Sequence, residues 1–328
     1  MKNPLVSIIV IAKNEEKNIE KCLKSLILQN YTTFEIVVVI DMNSNDRTES
    51  IVKKLAYKNS KKIRIIKGGT NRAIARNIGI NVAKGEIIAF IDADAIPHKA
   101  WLKELVKPLI KNNKWICSYG KIISDKPSIW PFRISPAGHK MVTCNLAFKK
   151  NKVNIQFDEL LPAGEDAAFV LELKKIGKII YCPTAIVKHP VRLLSIKKVI
   201  LHAWDRKKYE PYLFKKYGKE IQDWFGFPFK PIIGPFSISG TMVLSSLFLI
   251  PLLLIYWKTT QLIFFLLGIF LIVFLAFIVN GYKFLVYPPG MCIPVADRIR
   301  AFINGILYVY ATAFARIWGS IKWRKILL

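Results

Sequence analysis

The sequence predicts an α/β domain with a mainly parallel sheet, followed by carboxyl-terminal transmembrane helices. Apolar β-branched runs alternate with helical patterns along residues 1–190, as in βαβ units. Two long uncharged runs follow in residues 231–282. The 328-residue chain also combines 52% hydrophobic residues with a net charge of +28, a balance typical of proteins shared between lipid and water. We expect three parts: the α/β domain (1–190), a basic amphipathic segment (191–230) and a membrane domain (231–328).

The elements of the α/β domain follow from the spacing of its apolar residues. Continuous β-branched runs predict buried strands, and apolar residues that recur every three or four positions predict helices. Strands are expected at residues 5–12, 34–40, 63–67, 86–92, 179–183 and 185–188, and helices at 16–28, from 46, at 71–83 and at 167–176. Because ligands of parallel sheets bind at the carboxyl ends of the strands, the residues that follow the strands are the candidates for a site.

The composition excludes two broad classes. The apolar content and the 40 aromatic residues (20 Phe, 12 Tyr and 8 Trp) exclude intrinsic disorder. The five cysteines are odd in number and none is spaced as Cys-x-x-Cys, so a disulfide-stapled secreted protein is excluded too.

The membrane domain is predicted from the absence of charge. Residues 231–257 and 259–282 contain no charged residue, and only Lys258 separates the two runs. Each run exceeds the ~20 apolar residues that cross a bilayer, which predicts a transmembrane hairpin at about 236–257 and 260–282. The alternative is a pair of buried core helices. A third apolar segment, at about 300–320, is interrupted by Arg316 and either spans the bilayer or lies in its interface.

The distribution of basic residues predicts the orientation. Ten Lys and Arg but two acidic residues lie between Lys188 and Lys219, whereas Lys258 alone marks the turn of the hairpin. The positive-inside rule then places the α/β domain on the cytoplasmic side of the cell membrane, in a multi-pass protein. Leu193, Ile196, Ile200 and Trp204 recur at helical spacing among these cations, which favours a helix on anionic lipid over a solvated charged helix. Since no nucleic-acid motif occurs, we expect no nucleic-acid partner.

Three predicted strands end in polar residues. Lys13 to Glu16 follow the first, Asp41 and residues 43–48 follow the second, and Asp92-Ala93-Asp94 ends the fourth. Neither G-x-G-x-x-G nor G-x-x-x-x-G-K-[ST] occurs, so a glycine-rich phosphate loop is not predicted. A divalent cation held by the Asp-Ala-Asp would neutralise the charge of a bound phosphate instead. By itself such a pair is more often a turn or a helix cap.

Residues 5–190 resemble glycosyltransferase family 2, whose members have the GT-A fold, a nucleotide-sugar-binding α/β domain with an Asp-x-Asp metal site. Six segments match the family in order: residues 6–15, 39–48, 75–79 with 85–94, 143–148, 157–159 and 164–166. The pattern departs from the family at Met42, where a second Asp is common, and at Asn43, where Gly is common.

The resemblance implies a role for each matching position. Nucleotide-sugar binding is implied for seven residues: Ala12, Glu15, Asp41 (nucleobase), Arg76, Asp92 (ribose), Asn145 and Glu165. Asp94 would bind the metal, Mg²⁺ or Mn²⁺, and Asp166 would be the catalytic base. His189, in a Val-x-His pattern, is either a further metal ligand or a surface histidine, and a helix N-cap is the alternative for Asp166.

The resulting prediction is inverting, metal-dependent transfer of a sugar from a nucleotide-sugar to an acceptor at the cytoplasmic membrane face. A metal neutralises charge on the leaving diphosphate, a carboxylate accepts the acceptor's proton, and a single base implies inversion. The neighbouring hairpin favours a lipid-linked or polyprenyl-phosphate acceptor. The alternatives are a non-catalytic membrane-bound sugar-binding or scaffold subunit and a sugar-phosphate nucleotidylyltransferase.

Overall fold

A computed structural model of the chain describes residues 3–59, 62–124, 133–134, 141–218, 220–221 and 295–324. It divides into two compact units. The amino-terminal unit consists of residues 1–127 and 135–191, and the helical unit consists of residues 128–134 and 192–328.

The described part of the amino-terminal unit is a sheet with α-helices around it. Its strands are β1 (Val6–Ala12), β2 (Phe34–Ile40), β3 (Ile63–Lys67), β4 (Ile87–Asp92), β5 (Ile96–Pro97), β6 (Trp115–Ile123), β8 (Leu146–Lys149) and β9 (Lys178–Lys188), while β7 (Arg133–Ile134) belongs to the helical unit. Its helices are α1 (Ile19–Ile27), α2 (Thr48–Lys58), α3 (Arg72–Val82), α4 (Trp101–Lys111) and α5 (Glu165–Ile176).

The strands of this unit form one mixed sheet, in the order β3-β2-β1-β4-β8-β6-β9-β5. The pairs β3–β2, β2–β1 and β1–β4 are parallel, as the sequence predicts, and the pair β6–β9 is parallel too. The pairs β4–β8, β8–β6 and β9–β5 are antiparallel. The prediction of a mainly parallel sheet therefore holds for β3, β2, β1 and β4. In the rest of the sheet only β6–β9 is parallel, because β8 lies antiparallel to both β4 and β6, and β5 lies antiparallel to β9.

The central strand β1 is buried because helices cover both of its faces. Val6, Ile8 and Val10 belong to the main hydrophobic core, which also contains Ile19 and Leu23 of α1. On the opposite face, α3 approaches closely at Gly79, where a Cβ atom would lie 2.6 Å from Ile9 Cγ2. The close approach of α3 brings the polar start of that helix to the carboxyl-terminal edge of the sheet.

Helix α1 begins at Ile19, three residues later than predicted. The N–H groups of Glu15 and Glu16 donate instead to Thr48 Oγ1 (2.7 Å) and Asp46 Oδ2 (3.0 Å) in the loop after β2. The residues between β1 and α1 are thereby tied to the neighbouring loop rather than to the helix.

The helical unit contains α6 (Ile196–Lys207), α7 (Glu210–Tyr217) and α8 (Val295–Trp323), together with the strand pair β7 and β10 (Arg192–Leu193). Val199 and Ala203 of α6 pack against Tyr308 and Ala311 of α8. Val199 and Ala203 form the packed face of α6, which differs from the face of Ile196, Ile200 and Trp204 that the sequence predicts to meet lipid. Ile196 and Ile200 stay exposed.

A buried ion pair joins α7 to α8. Arg316 donates from Nε to Glu210 Oε2 at 2.7 Å, and Lys207 also contacts the Glu210 carboxylate. Burial opposes ionisation of this carboxyl, but Arg316 and Lys207 outweigh it and hold the pKa of Glu210 below its usual value. The charge that interrupts the third apolar segment is thus paired within the helical unit.

The predicted hairpin at 236–257 and 260–282 lies outside the described residues. The third apolar segment, 300–320, lies within α8. Within the described ranges, no helix combines the length and apolar character that crossing a bilayer requires.

Candidate active site

The candidate site lies where three parallel strands end at one edge of the sheet. Ala12 pairs with Ile40, and Ile11 pairs with Asp92, so the residues that follow β1, β2 and β4 meet there. This register brings the predicted residues Ala12, Asp41 and Asp92 to the same edge, as expected for a parallel sheet.

Asp41 is held at the end of β2 by its backbone and its side chain. Its N–H donates to the carbonyl of buried Ala12 at 2.9 Å. Its Oδ1 accepts the Asn43 N–H at 2.8 Å and lies 3.5 Å from Lys13 Nζ. Because the Asp41 carboxylate itself closes the turn, the turn forms without a glycine at position 43. Met42 is 54% exposed, so its side chain is not needed for this geometry.

The loops after β1 and β2 are tied together at Asn14. This residue has a positive φ of 55°, and its N–H donates to Ser44 Oγ at 3.1 Å. Its Oδ1 accepts the Asn45 N–H at 2.9 Å. Together with the bond from the Glu15 N–H to Thr48, these contacts fix the two loops that carry the predicted nucleotide-binding residues Glu15 and Asp41.

Asp92, Asp94 and His189 form a compact group at the end of β4. One ligand atom from each lies within 4.8 Å of the others. His189 Nε2 is 3.2 Å from Asp94 Oδ1 and 3.5 Å from Asp92 Oδ2, and Nδ1 lies 3.1 Å from the Pro190 carbonyl. The residue is 5% exposed, so His189 is not a surface histidine. Two carboxylates and one imidazole are a ligand set that suits Mg²⁺ through oxygen and Mn²⁺ through either atom type.

The charges within this group stabilise one another. Burial favours neutral forms, yet His189 and Arg76 hold the pKa of Asp92 below its usual value. Burial likewise works against protonation of His189, but its hydrogen bonds with Asp92 and Asp94 raise the pKa of the ring to about 10. The carboxylates therefore attract a positive charge at this point, whether from a proton on His189 or from a cation.

His189 reaches the aspartates because of an irregularity in β9. Gly120 of β6 pairs with Cys182, but the next residue, Lys121, pairs with Ile186, so residues 183–185 bulge out of the ladder. The bulge matches the break that the sequence predicts between 179–183 and 185–188. Beyond it, the His189 N–H donates to the Ile123 carbonyl at 2.8 Å, which fixes the end of the strand.

Asn145 closes the bulge. Its Nδ2 donates to the carbonyls of Ala185 (2.9 Å) and Lys121 (3.0 Å), and its Oδ1 accepts from Trp101 Nε1 at 2.8 Å. Gly120 leaves room for this contact, since a Cβ there would lie 2.1 Å from the Ala185 carbonyl oxygen. Asn145 is buried, and these bonds occupy both of its amide hydrogens. The structure therefore gives Asn145 contacts that hold the site together.

Arg76 of α3 and Glu165 of α5 form a buried ion pair beside the aspartates. Arg76 Nη1 donates to Glu165 Oε1 at 2.7 Å, and Arg76 Nη2 lies 3.9 Å from Asp92 Oδ1. The next residue, Asn77, donates to the Phe157 carbonyl and accepts its N–H, at 3.0 and 2.8 Å. Helix α3 thus positions the segments 157–159 and 164–166 that the sequence singled out.

Asp166 lies in the first turn of α5 but does not occupy the N-cap position. Gly164 does so, with a left-handed φ of 83°, and the helix begins at Glu165. The Asp166 Oδ1 accepts the N–H of Ala167 at 2.9 Å. The N-cap interpretation of Asp166 is therefore wrong, and the side chain is only partly buried.

Two residues of this region escape the sequence motifs. Cys22 of α1 donates from Sγ to the Asp92 carbonyl at 3.5 Å; burial raises the pKa of its thiol, as do Asp94, Asp92 and Glu15. Trp101 of α4 is fully buried against Asn145. No local spacing marks either residue, because each acts across a long sequence separation. An apolar position at helical spacing is the only signal that Cys22 offers.

The parallel strands, the polar strand ends and the acidic cluster define an α/β domain of the type that binds nucleoside diphosphates. Residues 7–166 match the sequence family described as "Glycosyl transferase family 2". This match confirms, over residues 7–166, the resemblance to glycosyltransferase family 2 that the sequence shows.

Individual relatives agree with this assignment. An uncharacterized glycosyltransferase of Haemophilus influenzae is 30% identical over 216 residues, which cover 57% of this chain and 65% of that protein. The match thus spans less than two thirds of that relative.

Two solved structures share the fold. A mannosyltransferase of Pyrobaculum calidifontis, in complex with GDP-Man and Mn²⁺, has a TM-score of 0.58 and 18% identity, and the match covers 97% of this chain and 88% of that one. Residues 1–349 of TarS from S. aureus, in complex with UDP-GlcNAc, have a TM-score of 0.51 and 16% identity, and the match covers 98% of this chain and 92% of that one. At this identity, the likeness extends to the fold alone.

Proposed function

We propose that this protein transfers a sugar from a nucleotide-sugar to a lipid-linked acceptor, with inversion and with the help of a divalent cation. One observation carries the proposal: Asp92, Asp94 and His189 converge within 4.8 Å at the strand edge where Asp41 also lies. The arrangement joins a place for a nucleoside to a place for a cation. The family assignment supports the same reaction class.

The donor would lie along the edge from β2 to β4. Asp41 and the loop that carries Glu15 would bind the nucleoside, and Arg76 would hold the nucleotide beside Asp92. The two structural neighbours carry GDP-Man and UDP-GlcNAc, so the shared fold accepts either a guanine or a uracil nucleotide. Both belong in the panel of donors to be tested.

Asp94 and His189, with Asp92 beside them, would hold Mg²⁺ or Mn²⁺. When bound, such an ion neutralises charge that develops on the leaving diphosphate. Arg76 lies 3.9 Å from Asp92 and adds a fixed positive charge at the same edge. Glu165 in turn fixes Arg76, because the two form a buried pair at 2.7 Å.

Asp166 would accept the proton of the acceptor hydroxyl. The side chain stands in the first turn of α5, next to Glu165, and is accessible where Glu165 is buried. A single base that activates the acceptor opposite the leaving group gives inversion at the anomeric carbon. Double displacement would need a second carboxylate as nucleophile.

The acceptor and the location follow from the rest of the sequence. The uncharged runs 231–257 and 259–282 follow α7, and ten basic residues lie between Lys188 and Lys219. Such a chain would hold the site at the cytoplasmic face of the cell membrane, where a polyprenyl-phosphate or another lipid-linked acceptor is available.

The cation site provides the test. We expect the purified full-length protein to bind Mn²⁺, measured by loss of the free-ion signal in electron paramagnetic resonance, and Asp94→Asn to lose that binding. In Asp94→Asn, transfer from labelled UDP- or GDP-sugars to membrane lipid should be at least ~10²-fold slower than in the wild type. The reason is that a Lewis-acid cation stabilises the transition state by several kcal/mol. Asp205→Asn, at an exposed position of α6, is the matched control. Full transfer by the wild type in excess chelator would contradict a metal-dependent reaction.

A further inference from the structure

The helical unit exposes an unusual share of large apolar side chains. Among the described residues it contributes half of the exposed large hydrophobic side chains, although it is much the smaller of the two described parts. These are Ile196, Ile200 and Leu201 of α6 and Tyr310, Phe314, Trp318 and Ile321 of α8. Exposed apolar residues that cluster in this way mark an interaction surface rather than ordinary scatter.

The exposed residues of α8 lie on a single helix face. Tyr310, Phe314, Trp318 and Ile321 recur at intervals of four, four and three residues, and Ile321 is 75% exposed. The opposite face, with Tyr308, Ala311 and Ala315, is buried. Helix α8 therefore has large apolar side chains on its exposed face as well, and packing among the described residues of the unit does not account for them.

The apolar face of α6 adjoins that of α8. Val199 and Ala203 meet Tyr308 and Ala311, and the Lys208 carbonyl lies against Gly319, so the two helices run in the same direction. Trp204 follows Ile196 and Ile200 at intervals of four residues, and its ring lies 6.0 Å from that of Trp318. We call these residues, Ile196, Ile200, Trp204, Tyr310, Phe314, Trp318 and Ile321, the apolar ridge.

Cations border the apolar ridge. Lys322 Nζ lies 5.0 Å from the ring centroids of both Trp318 and Trp323. Lys197 and Lys198 are exposed on α6, within the segment that holds ten basic and two acidic residues. Tryptophan and tyrosine with an apolar body, bordered by lysine, are the residues found where proteins meet the headgroups of a bilayer.

The sequence between these helices favours a bilayer over a protein partner. Helix α7 precedes the two uncharged runs at 231–257 and 259–282, and α8 follows them, so the chain enters and leaves this region through the helices of one compact unit. We propose that the apolar ridge lies in the interfacial layer of a bilayer that contains anionic phospholipid. The inference rests on the membrane location in the proposed function and extends it to α8 and to named side chains.

Site-directed spin labelling of the full chain tests the proposal. Ile200→Cys and Phe314→Cys place nitroxides on the apolar ridge, Tyr57→Cys on the 90%-exposed Tyr57 of α2 is the control, and the unsubstituted chain gives the background of the native cysteines. In nanodiscs of phosphatidylcholine and phosphatidylglycerol, labels at 200 and 314 should collide more with oxygen than with a water-soluble nickel chelate. The label at 57 should show the reverse.

Two results would overturn the proposal. Labels at 200 and 314 as accessible to the nickel chelate as the label at 57 would place the apolar ridge in water. Labels protected from both agents and broadened by spin–spin coupling would show that a second copy of the chain covers it. All substituted residues are at least 37% exposed, so each cysteine replaces a side chain outside the core. Because no sugar transfer is measured, failure here is separate from failure of the proposed reaction.

Discussion

Glu165 and Asp166 are adjacent carboxylates in different surroundings. Glu165 is 3% exposed and paired with Arg76, whereas Asp166 is only partly buried in the first turn of α5. Removing one partner of a buried ion pair leaves an uncompensated charge, so Glu165 is expected to matter first for stability. A substitution at the more accessible Asp166 is expected to disturb the fold less. A change in the transfer rate of an Asp166 variant therefore reports on the reaction rather than on folding.

We predict that Asp166→Asn transfers sugar at least ~10²-fold more slowly while it binds the donor normally. The amide keeps the size of the side chain but cannot accept the proton of an acceptor hydroxyl. Donor binding by calorimetry and label incorporation into lipid, measured on one preparation, separate these two effects. Glu172→Gln, a partly exposed carboxylate of the same helix, is the matched control.

Near-normal transfer by Asp166→Asn would exclude Asp166 as the base. Glu165 would then be the next carboxylate to test, although its pairing with Arg76 makes a loss of folding the competing explanation. Thermal unfolding of Glu165→Gln, compared with Glu172→Gln, would distinguish the two.

At single positions, local motifs predicted which side chains lie at the strand ends. Asp41, Asp92 and Asp94 stand at strand ends that periodicity alone locates, and Glu165 and Asp166 belong to a family motif. Cys22 and Trp101 could not be found in this way. Each contacts the site through a partner far away in the sequence, the Asp92 carbonyl or the Asn145 side chain, and no local spacing encodes such a contact.

The bulge in β9 acts at the scale of a whole strand. It changes the register by three residues just before His189, and Asn145 bonds the Ala185 and Lys121 carbonyls on either side. Without these bonds, the end of β9 would lose the constraint that holds His189 against Asp92 and Asp94.

We therefore predict that Asn145→Ala weakens Mn²⁺ binding about 10–100-fold, the usual effect of losing a residue that orients a metal ligand. Titration of the purified protein, followed by the free Mn²⁺ signal, measures this directly. Asn113→Ala is the control, because Asn113 is exposed and contacts Lys149 at the opposite end of the strands. Unchanged affinity in Asn145→Ala would show that the bulge holds its shape without the amide.

Helix α8 packs on α6 through a glycine. A Cβ at Gly319 would lie 2.2 Å from the Lys208 carbonyl oxygen, whereas a Cβ at Gly305 of the same helix would meet nothing within 4 Å. Alanine is otherwise the better helix former, by about 1 kcal/mol.

The two alanine substitutions should therefore change the stability of the protein in opposite directions. We predict that Gly319→Ala lowers the midpoint of thermal unfolding, because the helices must separate, while Gly305→Ala leaves it unchanged or raises it. Circular dichroism of the purified chain gives both midpoints. Equal stabilisation by the two substitutions would contradict the close contact between α6 and α8.

Elements were predictable where the pattern is local. The parallel strands β1 to β4 and helices α2 and α3 follow from apolar periodicity. The reversed strand β8 does not, because a four-residue apolar strand reads alike in either direction and its neighbours lie far away in the sequence. The packed face of α6 was not predicted for a related reason: Val199 and Ala203 are small, and their partners Tyr308 and Ala311 of α8 lie far away in the sequence.

At the scale of the molecule, the ion pair between Glu210 and Arg316 constrains the path of the chain. Helices α6 and α7 come before the two uncharged runs and α8 comes after them, yet Arg316 contacts Glu210 at 2.7 Å. Residues 210 and 316 therefore lie on the same side of any membrane that the intervening chain enters. The chain between them must then cross an even number of times, and the hairpin predicted for the runs 231–257 and 259–282 crosses twice.

The contact between Glu210 and Arg316 predicts the outcome of reporter fusions in a bacterial host. Alkaline phosphatase joined after Lys258, between the two uncharged runs, should be active, because the enzyme needs the oxidising outer side. The same enzyme joined after Leu328 should be inactive, and a fluorescent protein there should fold and fluoresce. The positive-inside rule predicts this direction rather than its inverse, because ten basic residues precede the first run and Lys258 alone separates the two runs. Active phosphatase at Leu328 would require an odd number of crossings, which is incompatible with contact between Glu210 and Arg316.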